Sequence, residues 1–298
     1  MKILLTGGSG QLGNSIIESK PKDINLISPN RSDLDLTDSK NCFKSVVSLK
    51  PDWIINCAAF TNVDQAELNK EYAFRINSKA PEAFAQALKI TGGKIIQIST
   101  DYVFDGKQNV PYKNTDRKNP LSIYGMSKSE GEDLIIEEMR EIKNYFILRT
   151  SWLSGDVGDN FVSKLLRLHS NKEEINMVSD QIGSPTTTFS LSKIIWEIIK
   201  KDQTQKNLFD RENRILHWSD QGIASWYDLA IAIGEIGLRL GIISRNAEII
   251  PILSSELNNS FIRPRYSKLN CEYTKYKLNV KGIHWRDSLN ELLKNRLR

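Results

Sequence analysis

Along the first half of the chain, short and nearly unbroken apolar runs alternate with stretches whose apolar residues recur at helical spacing. The runs are KILL (2–5), INLISPN (24–30), DWIINCAAF (52–60), KIIQIST (94–100) and YFILRTSWL (145–153). A strand that lacks in–out alternation is covered on both faces. Between these runs the spacing predicts helices over 11–20, over 37–49 with Thr37 as N-cap, and over 124–140. Residues 63–90 read as helical material interrupted near Pro81. Strands alternating with helices imply an α/β fold built on a doubly wound parallel sheet with right-handed crossovers. Such a sheet binds its ligand at the carboxyl ends of its strands.

Beyond about residue 155 the pattern loosens. Helices are predicted over 160–169, 190–201, 225–241 (Ser225 as N-cap) and 285–297, with extended segments at 174–186, 214–220 and 247–253. This half has no glycine-rich signature of its own. The expected division is a dinucleotide-binding domain over 1–155 and a smaller α/β substrate-binding domain over 156–298, with some chain crossing back into the first sheet.

Composition narrows the partners. The 298 residues carry a formal net charge of +5, with 26% charged and 40% hydrophobic residues. Like-charged basic runs and basic stripes interleaved with aromatics are missing, which argues against nucleic acid. No apolar stretch approaches the roughly 18 residues of a membrane span, and the apolar start at 2–5 is too short for a signal peptide. Cys42, Cys57 and Cys271 show no metal-ligand spacing. A cytoplasmic, reduced protein is expected.

The chemistry begins at TGGSGQLG (6–13). Gly7, Gly10 and Gly13 follow a strand and open a helix. Glycine allows the tight turn and the close approach of backbone to a pyrophosphate, and the helix N-terminus supplies free N–H groups. This is the opening of a Rossmann-type unit. At the end of the second strand stands Arg31, with no acid before Asp33. A cation there suits the 2′-phosphate of NADPH, whereas NADH is the cofactor for an acidic side chain. Tyr124 and Lys128 then lie four apart on one predicted helix face. A lysine held by a phenol is expected to lower the phenol's pKa and so tune a proton donor for a carbonyl undergoing hydride addition. Thr100, at the end of KIIQIST, supplies a hydroxyl for the same carbonyl oxygen, with Ser99 as the competing candidate.

These motifs, with NCAAFTNVDQAE (56–67), STDYVFDG (99–106), NPLSIYGMSKSEGE (119–132), LRTSWLSG (148–155), VSDQIGSPT (178–186), SWYDLA (225–230) and RPRYSKLN (263–270), resemble the extended short-chain dehydrogenases. Within them the chain is most similar to the dTDP-4-dehydrorhamnose reductase family, along essentially its whole length. The resemblance implies NAD(P)H-dependent reduction of the 4-keto group of dTDP-4-dehydro-L-rhamnose. It further implies Tyr124 as proton donor, Lys128 as its partner and Thr100 as the polarising hydroxyl. Gly10, Gln11 and Leu12 would contact the pyrophosphate, Asp35 and Leu36 the adenine side, and Ala59, Phe60 and Thr61 the cofactor above the third strand. Asp101, Trp152 and Arg263 would face the sugar nucleotide. Some family members are dimers bridged by magnesium through a glutamate on the first helix. Ser15 stands there in this chain, so the resemblance implies no bridging metal and leaves a homodimer open. His169, His217 and His284 lack ligand spacing and read as structural.

Other functions predict other residues. A resembling 4,6-dehydratase would carry an acid where Tyr102 stands, and a 4-epimerase would show no net consumption of NADPH. A reductase of another 4-keto deoxysugar nucleotide shares every motif. A non-catalytic Rossmann regulatory subunit would not need Thr100, Tyr124 and Lys128 together.

Overall fold

The computed structural model describes residues 1–205, 208–209, 213–257 and 262–297. The first half lays down β1 (Lys2–Thr6), α1 (Gln11–Glu18), β2 (Asn25–Ile27), α2 (Ser39–Leu49) and β3 (Trp53–Asn56). Next come α3 (Val63–Leu68), α4 (Lys70–Phe74), a π-helical turn at Arg75–Lys79, α5 (Ala80–Thr91), β4 (Lys94–Thr100), α6 (Ile123–Glu138), β5 (Tyr145–Thr150) and β6 (Leu153–Ser154). The second half contributes α7 (Phe161–Asn171), β7 (Glu174–Val178), β8 (Ile182–Gly183), β9 (Thr186–Thr187), α8 (Thr188–Thr204) and β10 (Ile215–His217). It ends with β11 (Ala224–Ser225), α9 (Trp226–Arg239), β12 (Glu248–Ile252), α10 (Glu272–Leu278) and α11 (Trp285–Asn295).

Six strands form one parallel sheet in the order β2-β1-β3-β4-β5-β10. Side chains alternate across it. Ile3, Leu5, Ile55, Ile96, Ile98 and Leu148 face α1 and α8, whereas Leu4, Ile54, Ile95 and Ile147 face α2, α5 and α6. Both faces are dry, which is why these strands read as continuous apolar runs. The sheet is therefore doubly wound. Its sixth strand, β10, and the helix α8 that packs on α1 both come from beyond residue 155.

A second core gathers Leu165, Ile175, Ile233, Ile236, Trp285 and Leu289 from α7, β7, α9 and α11. Parallel pairing of β7 with β12 and antiparallel pairing of β8 with β11 complete this part.

Several local expectations shift. Asp38, not Thr37, caps α2, accepting from the Asn41 N–H at 3.0 Å. A carboxylate one position on can reach that N–H and satisfies it better. The helical material is interrupted near Pro81, as expected: the α-helical pattern gives way to a π turn at Arg75–Lys79, and Pro81 sits in the first turn of α5 directly after it. Ser225 caps α9 as expected, within a reciprocal capping box with Asp228. The second strand is only Asn25–Ile27, and the chain turns three residues later, where the Asp33 and Leu34 N–H groups donate to the Asn30 carbonyl.

Candidate active site

A cavity of about 640 Å³ opens at the carboxyl ends of β1, β3, β4 and β5. The strand order reverses between β1 and β3, so the cavity lies where a doubly wound sheet parts its loops.

One end is the glycine loop. Gly7 adopts φ +70°, and a Cβ there would lie 2.8 Å from the Ala58 nitrogen. At Gly13 a Cβ would lie 2.1 Å from the Gly7 carbonyl oxygen, so the first turn of α1 seats against the loop only without a side chain. Gly10, the N-cap of α1, offers no side-chain cap. The first turn, Gln11, Leu12 and Gly13, lines the cavity. Free N–H groups at a helix start facing an open space fit a pyrophosphate. The residues present therefore fit a dinucleotide.

Arg31, Asp35, Leu36, Ala59 and Thr61 also line the cavity. The Arg31 guanidinium donates to the Tyr72 hydroxyl. Asp35 accepts from the Thr37 N–H at 2.9 Å, and this bond holds its carboxyl below the usual range. Phe60 stands behind the lining. Its backbone N–H donates to Asn77 Oδ1 at 2.9 Å, its carbonyl accepts from Asn77 Nδ2 at 3.0 Å, and its ring meets Tyr72 edge-on.

The other end holds the hydroxyl groups. Ser122 caps α6 by accepting from the Gly125 N–H at 3.1 Å, while the Ile123 N–H donates to Glu67 Oε1 at 2.7 Å. This start places Tyr124 and Lys128 on the face of α6 that looks into the cavity. Thr100 ends β4 beside them. Its hydroxyl accepts from the Tyr102 N–H and donates to Asp101 Oδ1, both at 3.2 Å. Ser99 instead donates to Glu132 Oε1 at 2.5 Å, away from Tyr124.

The electrostatics correct one expectation. Burial pushes the Tyr124 phenol up to about 12, while the Thr100 hydroxyl works to lower it. Lys128 is not among the groups that shift it; its ammonium donates to the Ile98 carbonyl at 2.6 Å instead of bonding the phenol. Burial brings Lys128 down to about 8, opposed by the Glu132 carboxylate. Tyr124 is therefore a neutral phenol with a proton to give, rather than a phenolate. Burial likewise raises Asp101 to about 6, against hydrogen bonds from Ser267 and Thr100.

Trp152 lines the cavity in the left-handed backbone region, at φ +47°. For a bulky side chain this costs of order 1–3 kcal/mol and persists only where the surroundings impose it. Arg263 lies outside the lining, with Nη2 3.0 Å from Asp64 Oδ1 on α3. Ser15 is buried against Ser192 of α8. His169 is buried beside the Ala230 carbonyl, and His217 is buried between Arg149 and the Tyr112 carbonyl. His284 caps α11. Among the described residues, no group of three or more His, Cys, Asp and Glu side chains forms a candidate metal site.

Three neighbours were not singled out by sequence. Asn77, on the π turn, holds the Phe60 backbone and also donates to Ser127 Oγ at 3.0 Å, so it ties the third strand's loop to α6. Glu132 lies one turn after Lys128, wholly buried, and takes Arg149 in a two-point ion pair at 2.9 and 2.7 Å. Its spacing from Lys128 was a legible signal. Trp226 lines the cavity from α9.

Fold and site together define an extended short-chain dehydrogenase/reductase. The chain belongs to the family described as the RmlD substrate binding domain, which matches residues 1–298. It is 38% identical to the spore coat polysaccharide biosynthesis protein SpsK of Bacillus subtilis, over 99% of this chain and 98% of that one. A dTDP-4-dehydrorhamnose reductase from Clostridium acetobutylicum superposes with a TM-score of 0.89 at 35% identity, covering 100% of both chains. The Bacillus anthracis dTDP-4-dehydrorhamnose reductase in complex with NADP gives 0.88 at 32% identity, covering 99% of each.

Proposed function

We propose that the protein reduces the 4-keto group of dTDP-4-dehydro-L-rhamnose to give dTDP-L-rhamnose, with NADPH as reductant. The convergence of the Thr100 and Tyr124 hydroxyls beside Lys128, in one cavity with the glycine loop, carries this reading. The reductases that the chain resembles support the choice of substrate, and Arg31 at the adenosine end supports NADPH.

Gly7, Gly10, Gln11, Leu12 and Gly13 hold the pyrophosphate, Asp35 and Leu36 border the adenine, and Ala59 and Thr61 form the floor, with Phe60 supporting them from behind. The reduced dinucleotide supplies the hydride that adds to C4. Tyr124 gives its phenolic proton to the C4 oxygen, which becomes the hydroxyl. Thr100 hydrogen-bonds that oxygen and fixes its distance from Tyr124. Lys128 stays protonated and offsets the negative charge that develops as the phenol loses its proton. Asp101 and Trp152 face the sugar. Arg263 reaches the nucleotide by exchanging Asp64 for phosphate. Residues 1–155 thus bind the dinucleotide and 156–298 the sugar nucleotide, with α8 and β10 of the latter packed into the first sheet.

Incubation with NADPH and dTDP-4-dehydro-L-rhamnose, followed by chromatography against authentic dTDP-L-rhamnose, tests the reading. Appearance of that product supports it. Unchanged substrate, with NADPH shown to bind, refutes the substrate assignment.

A further inference from the structure

The Trp152 and Trp226 indoles lie flat on one another, with centroids 3.6 Å apart and planes 4° off parallel. They come from different halves of the chain. Trp152 follows β5 of the main sheet, and Trp226 opens α9 in the second core.

The second half builds a socket around Trp152. Gly183 of β8 lies so close that a Cβ would sit 2.6 Å from the Trp152 ring. Gly183 pairs with Ala224, and Ile182 with Ser225, the cap that starts α9 at Trp226. One short antiparallel ribbon therefore sets both the space for Trp152 and the ring stacked on it. Trp226 is itself held. Its Nε1–H donates to Gln181 Oε1 at 3.1 Å, and Phe161 tilts against it with centroids 4.6 Å apart. Gln181 is anchored in turn through Nε2 to Ser254 Oγ at 3.0 Å. Across this socket Trp152 keeps its left-handed backbone, and strained residues held in this way cluster at ligand clamps.

We propose that Trp226 is a positioning residue: by stacking on Trp152 it fixes an aromatic wall against which the apolar side of the deoxysugar, carrying its C6 methyl group, packs. The inference rests on the substrate reading given above and adds a residue of the second half to it. A rigid aromatic surface supplies contact area at low entropic cost. A wall shared by two halves is complete only while both are docked. The sugar then meets a preformed surface, and no new contact to the dinucleotide is involved.

The test is a double-mutant cycle on the intact protein with Trp226→Leu, Trp152→Leu and the pair. Trp226→Leu should raise KM for dTDP-4-dehydro-L-rhamnose by roughly tenfold, the scale of a lost apolar pocket contact. The Kd for NADPH should move by less than about twofold, and Trp226→Leu should add almost nothing once Trp152 is already Leu. Trp226→Phe, which keeps an aromatic face, should restore most of the loss. A near-ultraviolet circular dichroism band from the coupled indoles should disappear equally in either single variant. This last readout needs no substrate, so a wild-type protein that binds NADPH but leaves the sugar unreduced would count against the substrate alone. An unchanged KM in Trp226→Leu, a parallel loss of NADPH affinity, or fully additive effects of the two substitutions would overturn the proposal.

Discussion

The Lys128 ammonium donates to the Ile98 carbonyl at 2.6 Å, one helical turn from the Tyr124 phenol, whose neighbouring hydroxyl is Thr100. The lysine is thus held by the strand that carries Thr100, and its charge is available to the site without forming a bond to the phenol.

That arrangement fixes a pH dependence. Burial lowers Lys128 from 10.5 to about 8, so the cation is present below about 8 and is lost above it. Tyr124, raised to about 12, keeps its proton throughout. We expect kcat/KM to decline as pH rises through about 8. Lys128→Met should be much less active and should lack this limb. A wild-type profile that stays flat well above that pH would contradict the assignment.

Glu132 and Arg149 make a second prediction, on stability. Burial alone would raise the Glu132 carboxyl, but Arg149, with help from Lys118 and the Ser99 hydroxyl, holds the group down to about 2, from 4.5. A depressed carboxylate contributes stability in full above its unfolded pKa, and the contribution fades as pH falls from 4.5 toward 2. Glu132→Gln leaves the Arg149 guanidinium buried without its counter-charge. It should lower unfolding free energy by about 3–5 kcal/mol in urea titrations at neutral pH. A loss below about 1 kcal/mol would mean that the pair behaves like an exposed one.

Arg31 lines the cavity and donates to the Tyr72 hydroxyl, and we propose that it selects the cofactor by meeting the adenosine 2′-phosphate. Removing a charge-assisted contact to the 2′-phosphate in Arg31→Ala should lower the ratio of kcat/KM for NADPH over NADH by roughly 10-fold or more. Tyr72→Phe should move the ratio in the same direction by less. A ratio unmoved in Arg31→Ala removes Arg31 from the cofactor reading.

Much of this was legible in sequence because backbone constraints leave compositional marks. The glycine spacing after β1, the apolar runs of a sheet covered on both faces and the four-residue interval from Tyr124 to Lys128 are local patterns, and the last gains its meaning only beside the first two, because an exposed Tyr and Lys can share the same spacing. What stayed hidden depends on phase and distance. Asn77 reaches Phe60 and Ser127 because a π turn shifts its direction, and no α-helical periodicity encodes that. The Trp152–Trp226 stack joins residues that only the tertiary fold brings together. The rise in the Tyr124 pKa comes from burial, which the spacing of Tyr and Lys does not report.

The central claim is that Tyr124 delivers the proton to the C4 oxygen. Single-turnover oxidation of bound NADPH by dTDP-4-dehydro-L-rhamnose, compared in wild type and Tyr124→Phe, tests it most directly. Loss of a positioned general acid should slow this step by about 10²–10⁴-fold while NADPH affinity and thermal midpoint stay close to wild type. A near-normal rate in Tyr124→Phe would contradict it.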